Sequence, residues 1–461
     1  MGDTRCGHIR GRCARSGRWL RSEGGIDVKK LCCILSVLML AVLAGACDLP
    51  APDGGAADPP AASEPAVTEP AGEAPPTAVP PADDAPTASE PASDQGDDPA
   101  DDPADGAPVD DGSGGGCGAG TGDAEAVLDG GTWTVSNGGT TVASGGDMLA
   151  AMQAAVDSLS SGRTSKERVV VRGSGSMSAG SRLSLPSYTV LEVCGTVDVT
   201  GAGSGDQAVV HARNATDIEI PYLNVTGSPL YGIFIRNGSN ITLGQIDMRL
   251  SSGLGIRIDN HGDRSVRTTN VRIDDVYVEG TSNHGVETYG VDGLTVGTVV
   301  ARDTGFAGLL LNDTINATVD TVDAEGAGTG TGYAAFRMAN RNGRVGDSYP
   351  TNIEVGNVIA RGGGRGVFCV SESGGAVIDN VDLADTGSNS VLIENCYNVT
   401  INGGTVDGSD LRIAARDEFP VSSDITLANL TLVNSAINES PCGTNTVVEN
   451  ITLDNSQNNA C

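Results

Sequence analysis

From residue 231 onward the chain repeats one short pattern of apolar and polar positions. A Gly or other small residue precedes an apolar-x-apolar triplet: Ile233-Phe234-Ile235, Ile256-Arg257-Ile258, Val286-Glu287-Thr288, Leu309-Leu310-Leu311, Phe336-Arg337-Met338, Val367-Phe368-Cys369, Val391-Leu392-Ile393 and Leu411-Arg412-Ile413. A polar turn follows, then a second strand opened by Asn or Asp, as in Asn240-Ile241-Thr242, Asn270-Val271-Arg272, Asn316-Ala317-Thr318, Asn352-Ile353-Glu354 and Asn450-Ile451-Thr452. A third short strand and a Gly- or Ser-rich turn close the unit, as in Val276-Tyr277-Val278-Glu279-Gly280. Alternation with period two marks strands, because successive side chains point to opposite faces. Three such strands in about 22–31 residues predict one coil of a parallel β-solenoid, with Val, Ile and Leu stacked inside. The recurring Asn suits a left-handed backbone position, and stacked amides can hydrogen-bond from coil to coil. Several of these Asn also read as N-x-Ser/Thr sequons; the ladder explains them better.

The pattern changes before the coils. Met148, Met152, Val156 and Leu159 fall on one helical face, and Asp147 is a suitable N-cap. This predicts an amphipathic helix that closes the N-terminal end of the core, since an open solenoid end is an unpaired sheet edge. The region 117–164 is read as capping, and the coils as 165–461.

Composition sets the ends apart. The apolar run Leu31–Ala46 follows Val28-Lys29-Lys30 and is too short for a typical spanning helix. It ends Leu43-Ala44-Gly45-Ala46-Cys47, which resembles a bacterial lipobox; the resemblance implies that Cys47 is lipidated and begins the mature chain. Residues 1–47 are therefore read as targeting sequence, with Val28 the expected start, and the protein as exported and anchored by lipid to the cell envelope. Residues 48–116 carry 17 acids and no Lys, Arg or aromatic residue, and nothing there can build a core. They read as a disordered acidic tether.

The chain holds 28 basic and 59 acidic residues. With 8 basic and 3 acidic residues in the first 47, the body from 117 keeps 20 basic against 39 acidic. That balance excludes nucleic acid as an expected partner, because phosphate binding needs a basic footprint; a monomer is expected. Six cysteines follow Cys47, which allows 15 pairings. Proximity along the repeat favours Cys117–Cys194, Cys369–Cys396 and Cys442–Cys461. No Cys-x-x-Cys pattern marks a zinc site.

Aligning the triplets gives an outward column of Phe234, Arg257, Glu287, Leu310, Arg337, Phe368, Leu392 and Arg412. A second column runs Arg236, Asp259, Tyr289, Asn312 and Ala339. His284 stands beside Glu287, and His261 lies in a long insertion at 261–267. A second insertion covers 341–350. Two loops flanking a polar floor predict a groove.

The periodicity and the Asn turns resemble the right-handed parallel β-helix of the pectate lyase and polygalacturonase superfamily, over about 165–461. The resemblance implies an all-β, single-stranded, right-handed parallel β-helix of about ten coils that acts on an extracellular acidic polysaccharide. Lyases of that superfamily neutralise a uronate carboxylate with cations or Ca²⁺, remove the C5 proton with a base and expel the O4 group. Mapped here, Arg236, Arg257, Arg337 and Arg341 hold the carboxylate, His284 is the base and Tyr289 the proton donor. His261 and Asn312 contribute to substrate binding. Glu287 or Asp259 orients the histidine or helps hold Ca²⁺. Lysine is nearly excluded as base, because Lys166 is the one lysine after residue 47. The alternative is a glycoside hydrolase using Asp259 and Glu287 as paired carboxylates. His284-Gly285 resembles part of the polygalacturonase Gly-His-Gly motif, with Asn283 in the first position. The family's Asp-Asp pair would fall near Gly253-Leu254, and Arg337-Met338-Ala339 keeps only the Arg of its Arg-x-Lys. A third reading is a non-catalytic carbohydrate-binding solenoid that stacks sugars on exposed Tyr231, Phe234, Tyr289, Tyr333 and Phe368.

Overall fold

A computed structural model describes residues 116–260, 265–328 and 333–461. The targeting segment with Cys47, nearly all of the acidic tether and His261 lie outside the described residues. The body is a right-handed parallel β-solenoid, all β apart from one short helix. It has about twelve turns rather than the ten expected from the sequence. Twelve short strands, from Leu183–Ser184 to Gln457–Asn459, stack in parallel as one sheet.

Two of the three expected strands per coil are one bent strand. In Thr268–Glu279 the inward residues are Val271 and Ile273, then Val276 and Val278. The alternation slips one position at Asp274-Asp275, and there the chain turns a corner without leaving its hydrogen-bond ladder. Ser239–Leu250 does the same between Leu243 and Ile246. Each coil therefore has one short-strand face and two long-strand faces around a core of stacked Val, Ile and Leu. Burying each such side chain stabilises by about 1.5–3 kcal/mol.

The Asn turns form as expected. Asn240, Asn270, Asn316, Asn398 and Asp424 all have φ between 54° and 57°. Asn450 does not belong to this series: Asn445 stands over Asp424 and donates to it at 3.0 Å, and Asn450 sits at the next corner, where it opens the third strand Thr452–Asp454. Asn270 donates to Asn240 Oδ1 at 3.1 Å, and Asn450 to Asn429 Oδ1 at 3.2 Å. Asn352 departs from the series. Its amide donates to the Gly343 and Pro350 carbonyls at 2.7 Å, inside the insertion that precedes it.

The helix spans Met148–Asp157, with Asp147 accepting from the Ala150 N–H at 2.7 Å. Its face of Met148, Met152 and Val156 joins the solenoid core beside Trp133 and Leu183. Ahead of it lies an antiparallel meander, Ala124–Asp129, Thr132–Asn137 and Thr140–Gly145, that the capping assignment did not resolve. Gly130-Gly131 and Gly138-Gly139 make its turns, all four at positive φ.

The three disulfides are Cys117–Cys194, Cys369–Cys396 and Cys442–Cys461, the pairing that proximity favoured. The last also closes the C-terminal coil, where the Glu439 carboxylate accepts from the Gly443 N–H at 2.8 Å, Thr446 Oγ1 at 2.6 Å and the Cys461 N–H at 2.8 Å.

Candidate functional site

The register of the short-strand sheet sets the site. It pairs Arg257 with Glu287, Glu287 with Leu310 and Leu310 with Arg337, so the expected outward column is one line of adjacent strands. Asp259, Tyr289 and Asn312 form the next line. His284 precedes Gly285 at the entry to its strand. A Cβ at Gly285 would lie 2.7 Å from Val278 Cγ1 and 2.8 Å from the Gly308 carbonyl, so only glycine lets the coil close behind the histidine.

The charged residues form a chain across three coils, and Asn312 extends it to a fourth. Arg236 grips Asp259 with two bonds, Nε to Oδ1 at 2.7 Å and Nη2 to Oδ2 at 2.9 Å. Arg257 donates through Nε to Asp259 Oδ2 at 3.0 Å and through Nη1 to Glu287 Oε2 at 3.0 Å. Asn312 donates to Glu287 Oε1 at 3.1 Å and accepts from Asn340 at 2.9 Å. Asp259 is only 1% exposed and Glu287 6%. Burial pushes the Asp259 carboxyl up, but the hydrogen bonds and charges of Arg236 and Arg257 outweigh it, and the pKa ends below its ordinary value. Burial works against the Arg257 charge, and Glu287 and Asp259 more than offset it, so its pKa is raised.

His284 is the neutral member. Burial, followed by the charges of Arg337 and Arg257, holds its pKa well below the usual imidazole value. Its Nδ1 accepts from the Ala307 N–H at 3.1 Å, so the proton of the neutral ring sits on Nε2. The ring packs edge-on against Phe306 and Tyr333, at 5.2 and 5.4 Å between centroids. The Arg337 guanidinium lies 4.2 Å from the Tyr333 ring centre and 5.3 Å from that of Phe368.

The structure thus brings together Arg236, Asp259, Arg257, Glu287 and Asn312, with His284 and Arg337 alongside. Tyr289 is half-buried between Asp259 and Asn312 in the register. Arg341 falls outside this group: it bonds Glu372 at 2.9 Å on a later coil. The insertion that follows it also leans away. Tyr349 packs on Tyr397 with centroids 4.9 Å apart, and Asn398 donates to the Tyr349 carbonyl at 2.8 Å. The expected wall at 341–350 therefore stands over later coils instead of flanking His284. Five residues of the outward column are buried, Phe234, Glu287, Leu310, Arg337 and Leu392, and the sequence had placed all of them outside. Phe234 is covered by Tyr231 at 4.7 Å and by the Arg236 guanidinium at 4.7 Å, so it offers no stacking surface. Leu310 forms a small outer apolar cluster with Ala307, Ala339 and Val370.

Three residues escaped the sequence reading. Arg267 reaches across coils to Asp313, bonding its carbonyl at 2.6 Å and its carboxylate at 3.1 Å. Phe306 stacks on Tyr333 at 4.7 Å, and Arg365 lies 4.9 Å from the Phe368 ring centre. A signal for Arg365 existed: Arg365-Gly366-Val367 repeats the spacing of His284-Gly285-Val286. Arg267 ends the insertion at 261–267, which marked the loop but not its bond to Asp313, and Phe306 carries no mark.

The donor set does not fit Ca²⁺ at Asp259 and Glu287. Two guanidinium cations, Arg236 and Arg257, are bound directly to this pair and repel a divalent ion from it, and two carboxylates alone fall short of the oxygen ligands that Ca²⁺ needs. Among the described residues, one cluster has metal-ligand spacing, Cys117, Glu192 and Cys194, and its two sulfurs are joined to each other.

No protein-family model matches this chain, and no curated protein does. Among solved structures, the A-module of the Azotobacter vinelandii mannuronan C-5 epimerase AlgE6 is similar over 66% of this chain and 94% of that module, with a TM-score of 0.41 and 14% identity. A likeness at that level carries no argument about activity or substrate, so the chain is placed here by its own geometry, as a parallel β-helix with a buried ionic network on one face.

Proposed function

We propose that the short-strand face binds a uronate-containing polysaccharide outside the cell and cleaves it by β-elimination. The observation that carries this reading is the buried Arg257–Glu287 pair beside a neutral histidine. Outward residues of a solenoid ordinarily remain solvated, and covering two carboxylates is costly unless their positions are used. Arg257 and Arg337 are assigned to the uronate carboxylate, whose neutralisation acidifies the C5 proton. Glu287 is assigned as the base, because each of its oxygens carries a second lone pair beyond the one that accepts from Arg257 or Asn312. The C5–H pair forms the C4=C5 double bond, the C4–O bond breaks, and the leaving oxygen takes a proton from the His284 Nε2–H or the Tyr289 hydroxyl. The base role first given to His284 is thereby moved, because its Nδ1 lone pair already faces the Ala307 N–H.

The hydrolase reading is weaker. It needs one protonated carboxylic acid with a raised pKa. Asp259 is pulled the other way, and both Glu287 oxygens accept from donors.

The proposal extends to the rest of the chain. It places the protein in the pectin lyase-like superfamily, reads Met148–Asp157 as an end cap, and anchors the exported monomer to the envelope through Cys47. Three disulfides suit an oxidising compartment.

The test is to incubate the full mature chain with polygalacturonate, pectin and alginate. Ultraviolet absorbance of an unsaturated product is expected, and Glu287→Gln should abolish it. New reducing ends without that absorbance would mean hydrolysis. Retained binding without any product would favour the non-catalytic reading.

A further inference from the structure

A cleft of about 470 Å³ opens on the other side of the coil, along the second half of the long strands. The register arranges its floor. Tyr222, Gln245 and Asp275 fall in one line across three coils, and Asn224, Asp247 and Tyr277 in the line beside it. The Cys117–Cys194 disulfide stands at one end as a covalent wall. The floor extends onto a fourth coil at Thr298, a run of about 14 Å at the usual strand spacing.

We infer that this groove binds a neutral saccharide of about two sugar rings, independently of the short-strand face. Its volume lies in the range of small-ligand clefts, about 300–1,000 Å³. Its chemistry is that of sugar recognition: flat aromatic surface for C–H faces, and paired amides and carboxylates for hydroxyls. Tyr277 is held ready for this. The Arg249 guanidinium covers one face of its ring, 4.5 Å from the centre, yet the ring stays half-buried where Phe234 is 1% exposed; its hydroxyl donates to Glu279 at 2.9 Å. A ring fixed beforehand loses little freedom on binding. The lining contains two carboxylates, Asp275 and the Arg249-paired Asp247, and no cation that could hold the carboxylates of a polyuronate. A cationic ligand fits less well. Arg249 already meets the Asp247 carboxylate at 3.2 Å, and the donor NH₂ groups of Asn224 and Gln245 would face a ligand that has nothing to accept them.

The test titrates the full chain with cellohexaose, xylohexaose, mannohexaose and chitohexaose, followed by calorimetry and saturation-transfer NMR. At least one hexamer should bind. Tyr277→Ala and Thr298→Trp, the second filling the groove from its far end, should each weaken that binding about tenfold or more, a loss of about 1.4 kcal/mol. Thermal melts check that both variants fold. Excess polygalacturonate should not displace the neutral hexamer. Failure of all four hexamers to bind overturns the inference, as does binding that survives both substitutions. Spermine binding that is lost in Tyr277→Ala, with no saccharide bound, also overturns it and reassigns the groove to a cation.

Discussion

On the long-strand sheet, Arg361 meets Asp382 at 2.6 Å with both side chains nearly half exposed. On the short-strand sheet, Arg257 meets Asp259 and Glu287 at 3.0 Å with both acids almost wholly covered. Arg361–Asp382 and Arg257–Glu287 each link adjacent coils of the same solenoid, and both satisfy the same distance criterion. Water separates them. Around Asp382 the solvent screens the charge and supplies alternative partners, so the pair is worth little. Around Asp259 and Glu287 the protein itself must supply every partner, and the network is fixed in one arrangement. Distance alone therefore does not rank ion pairs on a repeat protein, whereas burial does.

The comparison breaks first at Arg257. Replacing it by Met leaves two covered carboxylates each short of a donor, and should cost about 3–5 kcal/mol of stability. Arg361→Ala should cost about 1 kcal/mol or less. Urea melts of both variants measure the difference. Equal losses would mean that water screens the short-strand network as it screens Arg361 and Asp382.

Acid separates the faces next. Both described histidines lie on the short-strand side, His211 within Ala208–Arg213 and His284 just ahead of Val286–Tyr289, and both resist protonation. Burial and the charge of Arg182 lower the His211 pKa to about 4, while His284 lies well below its ordinary 6.5. Above pH 6.5 the imidazoles are neutral in the folded and unfolded chain alike, and they contribute no pH dependence. Below it the unfolded chain takes up protons that the folded chain refuses, so stability falls with falling pH until each folded pKa is reached. Each histidine adds a slope of up to about 1.4 kcal/mol per pH unit. His284→Gln should remove one of the two slopes between pH 6.5 and about 4.5. An unchanged slope in urea melts across that range would show that His284 is charged in the folded protein.

The same contrast explains what could be read from the sequence. The coils were legible because Ile233, Ile256, Val286 and Leu309 recur before every polar turn, and a repeat that buries one face cannot shift register without exposing it. The outward columns followed from that register, which is why Arg257, Glu287 and Arg337 were grouped correctly. Burial of the outward face was not legible. Alternation assigns Phe234 and Leu310 to the outside, and nothing in a two-residue period reveals a second layer packed over a sheet. Loop direction was equally hidden. The length of 341–350 was visible, but Tyr349 found its partner at Tyr397, two coils on, through contacts that no local pattern encodes. The N-terminal meander was missed, although the Gly-Gly pairs at 130–131 and 138–139 held a signal for its turns that the reading of 117–164 as capping did not use.

The shared corner provides a milder test. Asn270 sits at φ 55° and donates to Asn240, so Asn270→Ala loses both the amide bond and an easy left-handed residue, and should cost about 1–2 kcal/mol. Asn270→Gly keeps the backbone freedom and should cost less than the alanine. If the two variants melt together, conformation contributes nothing and the ladder hydrogen bond explains the whole loss.

The smallest expected effect is also the most direct measure of the difference between the faces. Arg361 donates to the Ala360 and Asp382 carbonyls as well as to the Asp382 carboxylate, so a single truncation mixes several losses. A double-mutant cycle of Arg361→Ala with Asp382→Ala isolates the side-chain pair. Its coupling should be about 0.2–1 kcal/mol and should shrink in high salt. The matching cycle of Arg257→Ala with Glu287→Ala should give a larger coupling that salt barely changes, because no counterion reaches a covered pair. Should both cycles respond to salt alike, the short-strand face is open to solvent, and the functional argument built on its burial fails with it.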